Sequence, residues 1–182
     1  SPPKIYNIND PARIQSEIQR RMTMLIVMEG IVMCFVLLMV CVIGTANGPV
    51  GLVVFYEDDV QQRVVELGLT TRAKIKKTLV ITFIALYAPV LILTPLMVYG
   101  INGAEGFWEA FWQMSAILWI MGIFDRFFID WYWVERTKAW IIPGTEDLMP
   151  YIPLKTKIGK WIATLLIHPL IAAAIAGVML LF

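Results

Sequence analysis

Asp125, Asp130, Glu146 and Asp147 place four carboxylates in one stretch of the chain, and such oxygen ligands are what hard divalent cations take. If the four converge, the chemistry suits Mg²⁺ or Mn²⁺ and not zinc. The plainer reading pairs Asp125 and Asp130 with arginines and lets Glu146 and Asp147 begin or cap a helix. Arg126 and Asp130 stand at the i,i+4 spacing of a helical ion pair, which contributes about 0.3–0.5 kcal/mol when exposed.

Phe124–Arg136 is the richest segment. At about 100° per residue, Arg126, Asp130 and Trp133 share one helical face, while Asp125, Phe128, Tyr132 and Glu135 share another. Charged and aromatic groups on both faces need cover. Lipid headgroups, the loop carrying Glu146 and Asp147, or another protein would supply it.

Glu29 and His168 are titratable groups inside long apolar runs. A charge in hydrocarbon costs at least about 2.5–3.5 kcal/mol, so each is a candidate for proton, ion or substrate handling. The plainer accounts are a hydrogen bond between a protonated Glu29 and Gln113, and a neutral His168 beside Tyr87 at the kink made by Pro169. The catalytic candidates are therefore Asp125, Asp130, His168 and Glu29. No GxSxG, HExxH or GxxxxGK[ST] signature accompanies them, and a single histidine excludes a histidine-cluster metal site. Cys34 and Cys41 are seven residues apart, about 10 Å along a helix, too far for a disulfide.

The elements that must position these residues are set by composition. Of 182 residues, 59% are hydrophobic and 16% charged, and mean hydropathy is +0.72. Soluble domains hold about 45–50% apolar and about 25% charged residues, so the expected solvent is a bilayer. The net charge of +1 gives no field for nucleic acid. Spans of about 20 apolar residues are legible at Met22–Gly44, Thr78–Gly100, Phe107–Phe124 and Ile158–Phe182. The first is too long for the core of a cleavable signal peptide, and Ser1 in place of an initiator Met fits a processed start. The expected fold is an all-α integral membrane bundle of four transmembrane helices with short interfacial helices, one membrane domain over residues 1–182.

Lysine and arginine set the expected orientation. The loop 45–77 holds Arg63, Arg72, Lys74, Lys76 and Lys77, and the loop 125–157 holds Arg126, Arg136, Lys138, Lys155 and Lys157. These outweigh Lys4, Arg13, Arg20 and Arg21, so both loops are expected on the cytoplasmic side of a plasma membrane with both termini outside. Trp108 then sits at the outer belt, and Trp131, Trp133, Trp140 and Trp161 at the inner one.

Local signals mark the joints. Asp10-Pro11 starts a helix that continues into the first span, and Asn47-Gly48-Pro49 stops it. Asp58 or Asp59 is expected to cap a short helix ended by Gly68, and Thr71 to cap the next. Pro143-Gly144, Pro150 and Pro153 predict an irregular, partly ordered stretch. Ala173 and Gly177 form a small-xxx-small pair for close helix contact, internal or between copies.

Together these features predict a small polytopic membrane protein that acts by association, as a homo-oligomer or as a subunit of a larger complex. Its lipid-contacting or docking residues are Arg126, Trp131, Trp133 and Trp140, with Ala173 and Gly177. The alternatives are a membrane-embedded enzyme on a lipid or isoprenoid substrate at the inner interface, and a proton- or ion-handling transport module using Glu29 and His168.

Overall fold

The structure, a computed structural model, describes residues 10–181; Ser1, Lys4 and Phe182 lie outside them. Four helices are long and apolar enough to cross a membrane, and no strand occurs among the described residues. The protein is an integral membrane helical bundle.

Helix α1 (Pro11–Thr45) is capped as its sequence predicts: the Asp10 carboxylate accepts from the Ala12 N–H. Its first turns, through Arg21, project beyond the bundle with every residue exposed. Farther along, Glu29, Gly30, Met33, Cys34, Leu37 and Cys41 form the buried stripe. Gly30 is required there, because a Cβ at that position would lie 2.7 Å from Ile120. Lipid is as apolar as leucine, so helices in a bilayer associate through such close packing and not through expulsion of water.

A 3-10 segment (Pro49–Phe55) and a short helix α2 (Asp58–Glu66) follow at what we call the loop end. Neither Asp58 nor Asp59 is the cap; Glu57 holds that position without a side-chain bond, and both aspartates lie in the first turn. There their charge still favours the helix N-terminus. Gly68, at φ +72, closes α2 as expected, with the Leu69 N–H donating to the Val64 carbonyl.

Helix α3 (Arg72–Pro95) is capped by Thr71, whose hydroxyl accepts from the Lys74 N–H. A π-helical stretch, Leu96–Ile101, extends it to a short connection at the opposite end of the bundle, the connector end. Leu79, Val80, Ile81, Phe83 and Ile84 on α3 are all exposed, a surface for lipid.

Helix α4 (Gly106–Phe124) runs without a break into a second π-helical segment, Asp125–Val134. Helix α5 (Leu154–Met179) packs on α4 through Ala172 and Ala176, both fully buried. The small-residue seam is thus one position before the expected Ala173 and Gly177, and a Cβ on Gly177 would meet nothing.

The stretch before α5 is packed. Ile142, Thr145, Tyr151 and Ile152 are buried with Val60, Val64 and Tyr56, because their apolar bodies fill the space beneath α2. Arg63 on α2 grips Asp147 with two hydrogen bonds of 3.2 Å, tying the loop down from outside.

Candidate functional site

The site at the loop end is built on the π-helical segment. Its hydrogen bonds run from residue i to i+5, so side chains do not follow the α-helical spacing. Asp125 and Arg126, expected on opposite faces, form an ion pair. Arg126 also pairs with Asp130, as the i,i+4 spacing predicted. Asp130 in turn accepts from Lys160 on α5 at 2.8 Å, and Glu135 pairs with Lys157 at 2.6 Å. The Arg126–Asp130 pair is not an exposed one, since the side chains are 11% and 13% accessible. Both charges stay because each has an opposite charge within contact distance.

These charges border three cavities, and Arg126 lines all of them. The largest, about 220 Å³, has Leu37, Cys41 and Leu86 along its apolar side and Asp125, Asp130 and Lys160 along its polar side. Tyr56, Trp140 and Tyr151 close it at the loop end. The Tyr56 hydroxyl donates to the Trp140 carbonyl at 2.6 Å. Burial, with a smaller contribution from Tyr151, pushes the Tyr56 phenol above its ordinary pKa, which keeps it protonated and donating.

Two residues that line this cavity carry a buried donor without an acceptor, Arg126 Nε and Trp140 Nε1. An unpaired buried donor costs about 1–3 kcal/mol. What these groups lack is an oxygen.

A second cavity of about 130 Å³ lies between α1, α3, α4 and α5, and is lined by Tyr87, Thr164 and His168 together with Asp125 and Arg126. Tyr87 stacks on Phe83 at 4.3 Å between ring centroids. Tyr87 and His168 share the cavity, but no hydrogen bond joins them, and His168 Nδ1 is buried without a partner. The His168 ring packs on Gly122, where any side chain would collide with it.

The four carboxylates do not converge, and Asp125 and Asp130 pair with an arginine, as in the plainer reading of the sequence. Asp147 is held by Arg63, and Glu146 accepts from the Gly144 N–H at 2.8 Å. Only Asp125 and Asp130 remain together, and both face cations. Among the described residues no three His, Cys, Asp or Glu side chains form a metal-holding group.

The expected surface residues also separate. Trp131 is exposed, with the Arg136 guanidinium 4.5 Å above its ring, and Trp133 is half-buried. Trp140 is buried at 3% exposure, and Arg126 is in the ion network, so neither is a surface contact. Ile129, Val134, Trp140, Ile142 and Thr145 are buried in the chain's own packing. The chain's own packing therefore covers part of the 124–147 segment, while Phe127, Phe128, Trp131 and Tyr132 stay exposed.

At the connector end, Glu29 and Gln113 come together as expected but through an intermediary. Asn102 Nδ2 donates to Glu29 Oε2 at 3.0 Å and to Gln113 Oε1 at 2.9 Å. Asn102 was legible only as part of a short connection; its depth in the bundle comes from the burial of neighbouring Val98 and Ala104. Nothing in one sequence pairs Lys160, near the start of the fourth apolar run, with Asp130. No protein-family model matches the chain, and no curated protein or solved structure is significantly similar to it.

Proposed function

We propose that the protein binds an amphipathic, lipid-like molecule at the loop end of its membrane bundle, with an oxygen-rich head against Arg126, Trp140 and Lys160. The observation that carries this reading is a pair of buried, unpaired donors, Arg126 Nε and Trp140 Nε1, on two residues that line one cavity with an apolar and a polar side. A phosphate, ester or hydroxyl oxygen satisfies both. Ligand pockets commonly measure about 300–1,000 Å³, so 220 Å³ accommodates a head, with the apolar tail leaving past Leu37 and Leu86 between α1 and α3.

Binding is better supported than turnover. Asp125 and Asp130 each face a cation, the state of charges held in place and not of a free base. Association with other subunits draws less support, because Ile129, Val134, Trp140, Ile142 and Thr145 of the segment expected to dock are buried in the chain's own packing. The exposed Phe127, Trp131 and Tyr132 suit the membrane–water interface.

The lysines and arginines of the two loops favour a cytoplasmic loop end, where the ligand would be a lipid of the inner leaflet. Labelling tests this: Glu105→Cys reacts in intact cells and Gln62→Cys only after permeabilisation. Asn102 is unsuitable as a probe because its side chain is engaged.

Native mass spectrometry of protein purified in mild detergent tests the site. The wild type is expected to retain one discrete amphiphile, and Cys41→Phe, which fills the cavity, to release it while keeping its helical content. Equal, nonspecific lipid adducts on both proteins would defeat the proposal.

A further inference from the structure

The polar cluster at the connector end has a hydrogen-bond deficit of the opposite kind. Glu29 is buried, at 6% exposure, and Gln113 at 5%. Asn102 spends its amide hydrogens on Glu29 Oε2 and Gln113 Oε1. Gln113 Nε2 donates to Glu109 Oε1 at 3.3 Å, and Glu109 Oε2 accepts from the Glu105 N–H at 3.1 Å. Two acceptors are left over, Glu29 Oε1 and Asn102 Oδ1, both buried and without a donor.

Charge points the same way. Among the described residues, neither Glu29 nor Glu109 takes part in an ion pair. The titratable groups facing the cluster, among the described residues, are Glu105 on the connection, Glu109 on α4 and Tyr99 in the π-helical stretch after α3, none of them cationic. On α1, Arg21 is two turns nearer the helix start and exposed, and the part of α5 that follows His168 carries no titratable group.

We propose that Glu29 and Asn102 form a proton-binding site, in which a proton on Glu29 Oε1 is donated to Asn102 Oδ1. With the existing Asn102 Nδ2 to Glu29 Oε2 bond, this closes an acid–amide ring of two hydrogen bonds. One proton then satisfies both orphaned acceptors and removes the uncompensated charge. A metal cation fits less well: hard divalent ions take about six or more oxygens, and only two free buried acceptors are present. The proton comes from water at the connector end, where Glu109 is exposed and joined to the pair through Gln113. This inference is independent of the ligand site at the loop end.

The test is infrared spectroscopy of the full chain in liposomes, with ¹³C-carboxyl glutamate to separate glutamate bands from aspartate. At pH 7 the wild type is expected to show one protonated-carboxyl C=O band that Glu29→Gln abolishes. The band is expected to shift on transfer to D₂O, and to move to the position of a free acid in Asn102→Ala, which opens the ring. Thermal unfolding of both variants confirms that the bundle persists. A wild-type spectrum with ionised glutamate only, or a band unchanged in Glu29→Gln, overturns the proposal. So does a carboxylate band at residue 29 that responds to exchange of Na⁺ for choline, which makes the site one for a metal cation.

Discussion

The two ends of the bundle bury polar groups by different means. At the loop end, Asp125 and Asp130 are balanced by Arg126 and Lys160, and what is missing is an acceptor for two N–H groups. At the connector end, Glu29 is surrounded by amides and another carboxylate, and what is missing is a donor. A buried ion pair tolerates the loss of a partner poorly, because the remaining charge is stranded. A neutral acid in an amide cluster tolerates replacement by an amide well, because shape and most hydrogen bonds survive.

The largest break in this comparison is Arg126→Gln. It strands Asp125 and weakens the hold on Asp130, and is expected to cost about 3–5 kcal/mol, read as a large drop in thermal stability in detergent. Asp130→Asn comes next and corrects the sequence expectation directly. An exposed i,i+4 pair would barely register on removal, whereas this carboxylate is 13% accessible and holds Lys160 as well as Arg126. A loss of several kcal/mol is expected, and an unchanged melting temperature would show that the cluster is solvated.

Gly30→Val probes the packing that both ends share. Its added side chain meets Ile120, and overpacking of this type costs about 1–3 kcal/mol. The readout is thermal stability, with separation of α1 from α4 measured by paired spin labels. Glu29→Gln is expected to change stability at pH 7 by less than about 1 kcal/mol, in contrast with Asp130→Asn. The smallest effect belongs to Asp147→Asn, on a loop-end pair with both partners substantially exposed, expected at about 0–1 kcal/mol and weaker still at high salt.

Much of the architecture was readable from residue order. The length and apolarity of the four runs, the Asp10 and Thr71 caps, the Gly68 stop and the Arg126–Asp130 pair are all local features, decided within a few residues along the chain. Errors arose where locality failed. The expected faces of 125–135 assumed an α-helical period, and the π-helical segment puts Asp125 and Asp130 on the same guanidinium. Capping by Asp58 or Asp59 failed by a residue or two, because both lie inside the first turn. The seam at Ala172 and Ala176 was displaced by one residue, since small residues at 172, 173, 174, 176 and 177 offer neighbouring faces until α4 selects one.

What the sequence determined by itself was the solvent: too much apolar surface for water, arranged in runs long enough to span hydrocarbon. It also named the charges that had to be reconciled with that solvent. Which charges meet was decided only in three dimensions. Lys160 reaches Asp130, Arg63 takes Asp147 away from the other carboxylates, and Asn102 turns inward to Glu29 across a separation of 73 residues. The reason is physical. A helix or a cap depends on neighbours in the chain, whereas a buried charge takes whichever partner the packing of separate helices brings within reach in a medium that offers it no water.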